Sequence, residues 1–229
     1  MNRPAGGAVL ALLLSSMLAC PARAELVLSQ LVVDLTKPAE KRADIEIWNN
    51  SDERAYVVAE PSEILYPGTP AERRVSEPDP ERRGLLVSPA RMILEPGQRK
   101  LIRMAAIGAA SDRERVYRVT VKPVTGELEA KETGLKLLVG YDVLVLLRPA
   151  VPAPNVVARR AGKTITFRNE GNASVELSDG KQCDAGKTRC VEVQGKRLYA
   201  GAEWTTDLTS PGPVDFTLTS SGQMSRKTY

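Results

Sequence analysis

Leu135-Lys-Leu-Leu-Val-Gly-Tyr-Asp-Val-Leu-Val-Leu-Leu-Arg148 alternates with a period of two. Leu135, Leu137, Val139, Tyr141 and Val143 fall on one face, and Lys136, Gly140 and Asp142 fall on the other, with Leu138 the exception. This is the pattern of a long, unusually aliphatic β-strand. Such a strand exposes a row of backbone donors and acceptors as well as apolar side chains, so it needs a partner to cover it. Val143, Val145 and Leu147 approach the next segment of the chain and are expected to complete their own core.

Working outward, the neighbouring runs share this chemistry. Gly84–Val87, Arg91–Leu94, Lys100–Met104 and Val116–Val121 read as strands, with Glu95-Pro-Gly97 as a turn between two of them. Upstream, Glu25–Leu35 reads as one long strand. Arg42–Trp48 alternates with Ala43, Ile45 and Ile47 on one face, and Ala55–Glu60 follows. Tyr66–Arg83, with four Pro among its many charges, reads as a solvated loop, and Val124–Thr133 as a polar one. Beyond Arg148 three Pro fall within Pro149–Pro154. Pro cannot sit inside a paired strand, so this is a stiff linker. Alternation resumes in Thr164–Arg168 and Ala173–Leu177 and ends at Val214–Leu218. Short strands separated by Pro, Gly, Asn and Asp clusters, with almost no helical periodicity, specify an all-β chain of β-sandwich type. The expected organisation is a leader at 1–24, a first domain at 25–148, a linker at 149–154 and a second domain at 155–229. Trp48 and Trp204 are each expected to pack into a sandwich core.

The N-terminus addresses the compartment. Arg3 precedes the apolar run Ala8–Ala19, and Ala22-Arg-Ala24 has the small-x-small pattern of a cleavage site. A secretory signal peptide cleaved after Ala24 is therefore expected, with Leu18-Ala19-Cys20 as a rival lipoprotein site. No later run has the length of a membrane span, so no membrane insertion is expected. The formal charge of +4 falls to about +2 once Arg3 and Arg23 leave, too little to call for nucleic acid. After cleavage the cysteines are Cys183 and Cys190, which in an exported protein read as a disulfide across a short hairpin. Half a metal site is the alternative, but the chain has no His and no further Cys beyond the leader, so neither metal nor cofactor is expected. The same absence of His excludes Ser-His and Cys-His catalysis. No Gly-rich loop has phosphate-binding spacing, and an enzyme is not expected.

Four blocks together resemble the PapD-like chaperones of the chaperone–usher pathway. They are Leu85–Gln98 with Ile102-Arg103, Arg115-Val-Tyr-Arg-Val-Thr-Val121, the long strand ending Leu147-Arg-Pro149, and Phe167-Arg-Asn-Glu-Gly-Asn172. The Val-Tyr-Arg block and the cysteine pair are similar to the alternate branch, which serves colonisation-factor and common-pilus fimbriae. The resemblance implies two immunoglobulin-like sandwiches set at an angle, with a pilus subunit held in the cleft and delivered to an outer-membrane usher in the periplasm. It also implies donor-strand complementation, in which the chaperone lends a strand to a subunit that lacks one.

On that basis Leu135, Leu137, Val139 and Tyr141 are the expected donor residues. In the family an Arg on the first strand and a Lys on the long strand anchor the subunit's terminal carboxylate. Here those positions fall near Gln30 and at Leu144, and neither is basic. Because a buried carboxylate without a charged partner is costly, a cation must come from elsewhere. Arg118 is the first choice, with Arg103 and Arg148 behind it. Each of the three could instead form a structural ion pair. An exposed apolar strand of this length also predicts self-association of the free protein. The competing function is a secreted structural component, a surface or pilus module built from two such sandwiches. Strand chemistry directly after the leader and the polar tail Ser220–Tyr229 speak against it.

Overall fold

The computed structural model describes residues 25–35, 41–124, 138–184, 186 and 188–229. The chain is all-β, as its alternating β-branched and aliphatic residues require. Its first half contains β1 (Leu26–Leu28), β2 (Val32–Leu35), β3 (Arg42–Asn49), β4 (Ala55–Leu65), β5 (Arg73–Val75), β6 (Leu85–Ser88), β7 (Arg91–Leu94), β8 (Arg99–Ala106), β9 (Arg115–Val124) and β10 (Tyr141–Leu147). The second half contains β11 (Val156–Ala161), β12 (Thr164–Asn169), β13 (Val175–Cys183), β14 (Cys190–Val193), β15 (Lys196–Leu198), β16 (Glu203–Asp207), β17 (Asp215–Ser220) and β18 (Gln223–Thr228).

In the first half one sheet runs β1-β3-β8-β6 and the other β2-β10-β9-β4-β5, with β7 also paired to β4. Ile45, Ile47, Ile102 and Met104 of the first sheet meet Val57, Tyr117, Val119, Val121, Val143 and Val145 of the second in one buried cluster. Val143 and Val145 are fully buried there, as expected from their nearness to the linker. Each contributes about 1.5–3 kcal/mol by leaving water.

Glu25–Leu35 is two strands rather than one. β1 pairs antiparallel with β3, whereas β2 pairs parallel with β10 in the opposite sheet. The chain crosses between sheets at Ser29-Gln30-Leu31, and a backbone that changes hydrogen-bonding partners cannot keep one continuous ladder. Tyr66–Arg83 is likewise more structured than a solvated loop. It contains β5 and a one-turn helix, α1 (Pro80–Arg83), whose N-cap Asp79 accepts from the Glu81 amide at 2.9 Å. Arg83 is buried, donating to the carbonyls of Leu85 and Glu77, and that burial lowers its pKa. Gly84 ends the helix at φ +78°, a conformation that suits glycine; a Cβ there would also collide with the Arg115 guanidinium at 2.3 Å.

In the second half β11-β12-β16 faces β14-β13-β17-β18, with β15 also paired to β13. Phe167, Phe216, Leu177 and Ile165 form its core. Trp204 stacks on Phe167 with ring centroids 5.3 Å apart, so it serves the core as expected. Trp48 differs: it lies half-buried under the Arg99 guanidinium, 4.6 Å from its ring centroid. Cys183 and Cys190 face each other across β13 and β14 and are joined as a disulfide. Asn169 is fully buried at the end of β12 and donates to the carbonyls of Ala173 and Leu198, which pins the turn Glu170–Asn172 beside the linker.

Candidate functional site: the outer face and open edge of β10

β10 has two different surroundings. Leu144–Leu147 lie between β9 and β2, and the Leu144 amide donates to the Leu31 carbonyl at 2.9 Å. Tyr141–Val143 pair with β9 on one side; no strand lies on the other among the described residues. Backbone groups of alternate residues point to the same side of a strand, so Asp142, two residues from Leu144, turns its N–H and C=O to this open edge. The face carrying Val143 and Val145 continues through Tyr141, whose hydroxyl donates to the Leu26 carbonyl of the opposite sheet at 2.5 Å. The strand is shorter than the alternation over 135–147 leads one to expect: among the described residues β10 begins at Tyr141, and Val139, 61% exposed, precedes it outside any strand. Leu135 and Leu137 lie outside the described residues.

The other face of β10 forms successive rows with its neighbours. Nearest the linker, Arg148 meets Asp34 and Glu114. Next come Leu146, Val116 and Leu144, a small buried cluster packed against Ile64 and against Tyr199 of the second half. Tyr199 also closes on Gly68, where a Cβ would come within 3.1 Å of its ring. Burial raises the Tyr199 pKa. Leu144 is directly opposite Arg118 of β9, which is opposite Ser62 of β4. Arg118 thus stands one strand away from the position where the family resemblance puts a Lys. The next row holds Asp142 and Thr120.

Arg118 is about one-third exposed and sits at the boundary between the apolar row and this polar one. Its guanidinium donates to the Asp142 carbonyl at 3.1 Å, at the open edge of β10, and comes no closer than 3.9 Å to the Asp142 carboxylate. That carboxylate is held instead by Arg74, which reaches over β4 and β9 with contacts of 2.7 and 3.3 Å, and by the Thr120 hydroxyl at 3.0 Å. Burial alone would raise the Asp142 pKa, but the hydrogen bonds from Arg74 and Thr120 outweigh it and hold it below the usual carboxylate range.

The other two arginines hydrogen-bond carboxylates directly. Arg148 has a side chain only 1% exposed and binds Asp34 through two nitrogens at 2.7 and 3.0 Å. It also donates to Glu114 and to the backbone and hydroxyl of Ser174. Burial opposes its charge, and the Asp34 and Glu114 carboxylates more than compensate, so its pKa is raised. Arg103 grips both oxygens of Asp44 at 2.7 and 2.8 Å on the outer face of the other sheet, away from β10. Of the three arginines, Arg118 alone borders the open edge of β10. Sequence reasoning missed Arg74, Asp142 and Tyr199 as neighbours of that edge. Strand parity could have placed Asp142 beside Leu144, but Arg74 and Tyr199 arrive from other elements and leave no local signal.

Residues 25–152 match the family described as pili and flagellar-assembly chaperone, PapD N-terminal domain. The chain is 28% identical to a CFA/I fimbrial subunit of Escherichia coli, with 71% of this chain and 72% of that protein covered. Its fold is similar to that of the class 5 fimbriae chaperone CfaA, with a TM-score of 0.67, 24% identity and coverage of 89% of this chain and 98% of the other. It is also similar to the complex of the Salmonella enterica SafA pilin with the SafB chaperone, with a TM-score of 0.62, 19% identity and coverage of 92% and 98%. Both halves of the chain take part in that likeness, and the family match covers the half that carries β10 and its open edge. The chain belongs to the pili and flagellar-assembly chaperone family.

Proposed function

We propose that this chain is a periplasmic chaperone of the alternate branch that lends β10 to a fimbrial subunit lacking a strand and passes the subunit to an outer-membrane usher. One observation carries the reading: the apolar alternation of β10 continues at the exposed Val139 just before the strand begins, and the Asp142 side of β10 has no strand beside it among the described residues. A subunit strand laid along that edge would take up the N–H and C=O of Asp142, and its groove would receive the side chains that overrun the sandwich. Val139 belongs to this donor row, continued by Leu135 and Leu137, with Tyr141 at the point where the row leaves the chaperone's own core. Three buried aliphatic side chains would contribute roughly 5–8 kcal/mol before ordering costs.

Arg118 is the proposed anchor for the subunit's terminal carboxylate. It stands at the open edge beside the apolar row of Leu144, and Arg binds a carboxylate through two parallel hydrogen bonds. In the free protein it rests on the Asp142 carbonyl, the acceptor that an added strand would occupy. Strand addition would therefore release the guanidinium toward the carboxylate. Arg148 takes a structural role in this scheme, holding the first sandwich to the second. Amide exchange of Asp142 tests the pairing. A purified complex with the pilus subunit should slow exchange at this amide at least tenfold relative to the free protein, whereas an unchanged rate would mean that the subunit binds elsewhere.

A further inference from the structure

Arg74 and Arg118 share one negative neighbour unequally. Arg74 holds both Asp142 oxygens, at 2.7 and 3.3 Å, and also donates to the Thr120 hydroxyl at 2.9 Å. Thr120 in turn donates to Asp142, so the carboxylate is fixed from two sides. Arg118 is left 3.9 Å from the nearer carboxylate oxygen, a long ion pair beyond hydrogen-bond distance, and donates instead to the Asp142 carbonyl. Asp142 lies one row from the apolar row that contains Leu144, so it is the carboxylate best placed to compete with an incoming one for Arg118.

We propose that Arg74 is a positioning residue for carboxylate capture: by gripping both oxygens of Asp142 it keeps that carboxylate off Arg118 and leaves Arg118 open to a carboxylate-terminated strand. This rests on the reading of Arg118 as the anchor. Arg74 does not itself touch the incoming group. Without it, Asp142 turns to the nearest remaining guanidinium, Arg118, and becomes an internal competitor. The effect of Arg74 must then pass entirely through Asp142, and a double-mutant cycle isolates that dependence.

The probe is a fluorescent decapeptide of alternating Val and Thr with a free C-terminal carboxylate, compared by anisotropy with the same peptide amidated. Arg74, Thr120 and Asp142 are exposed or half-buried, so the variants should keep the wild-type melting temperature. Arg74→Ala should weaken binding of the carboxylate peptide roughly fivefold, the scale of one exposed ion pair, and leave the amide peptide unchanged. On an Asp142→Asn background the same Arg74→Ala change should have no effect. If Arg74→Ala weakens binding equally on both backgrounds, Arg74 contacts the ligand directly and the proposal is overturned. It is also overturned if Arg74→Ala has no effect in either. If the wild-type protein does not distinguish carboxylate from amide, or Arg118→Ala leaves that distinction intact, the anchor reading itself fails.

Discussion

Arg118 and Arg148 show how two residues of one type, each interrupting or ending an apolar strand, come to lie in opposite surroundings. Arg148 is saturated by Asp34, Glu114 and Ser174. Arg148→Ala would leave Glu114, whose side chain is also 1% exposed, without its cation and should cost about 3–5 kcal/mol in urea unfolding. Arg118→Ala should change stability by no more than about 0.5 kcal/mol while lowering subunit capture. The sequence made both arginines visible but could not rank them, because the partners of Arg148 come from β2, from the residue before β9 and from the second half of the chain. Tyr117 offers a separate test at this scale. It is fully buried, its hydroxyl donates to the Arg83 carbonyl at 2.8 Å, and burial raises its pKa. A raised folded pKa gives stability that is present below the unfolded value of about 10 and lost as pH rises above it. Burial raises Tyr229 in the same sense, to about 12. Urea midpoints should therefore hold steady from pH 8 to about 10 and fall above it, with a shallower fall in Tyr117→Phe.

At the scale of elements, burial separates β10 from the residues just before it. Val143→Asp would bury a charge in the first core and should destabilise by about 4 kcal/mol or more. Val139→Asp alters an exposed side chain and should leave stability unchanged while weakening subunit binding by about 2 kcal/mol, roughly thirtyfold. Circular dichroism melts and complex yield separate the two. The burial of Val143 and Val145 was legible in the sequence, because period-two alternation and nearness to the linker need no knowledge of distant residues. The split of β1 from β2 was not, since Glu25–Leu35 is mostly apolar along its length and only the pairing partners, β3 and β10, show where the chain changes sheets. The cysteine hairpin was legible from spacing and compartment together. Replacing both Cys183 and Cys190 by Ser should lower the stability of the second sandwich by about 2 kcal/mol, since the closed loop is short.

Across the whole molecule the two sandwiches are joined by more than the Pro-rich linker. The Glu114 amide donates to the Asn172 carbonyl at 2.9 Å, the Asn172 side chain bonds the carbonyls of Asp112 and Val151, and Tyr199 covers the apolar row of β10. These contacts explain why an apolar Leu144 is tolerated on an outer face: it lies under a residue from the other half. Among the described residues they leave Tyr141–Val143 as the part of β10 with a strand on one side only, next to Arg118. If this open edge is what the protein lends to a fimbrial subunit, the most direct test is periplasmic co-expression with a fimbrial subunit from the same organism, comparing the wild-type chain with Val139→Asp. A soluble 1:1 complex is expected with the wild-type chain, and aggregated or degraded subunit with the variant. A subunit that is equally soluble with the variant, or with no chaperone at all, would contradict strand lending from this edge.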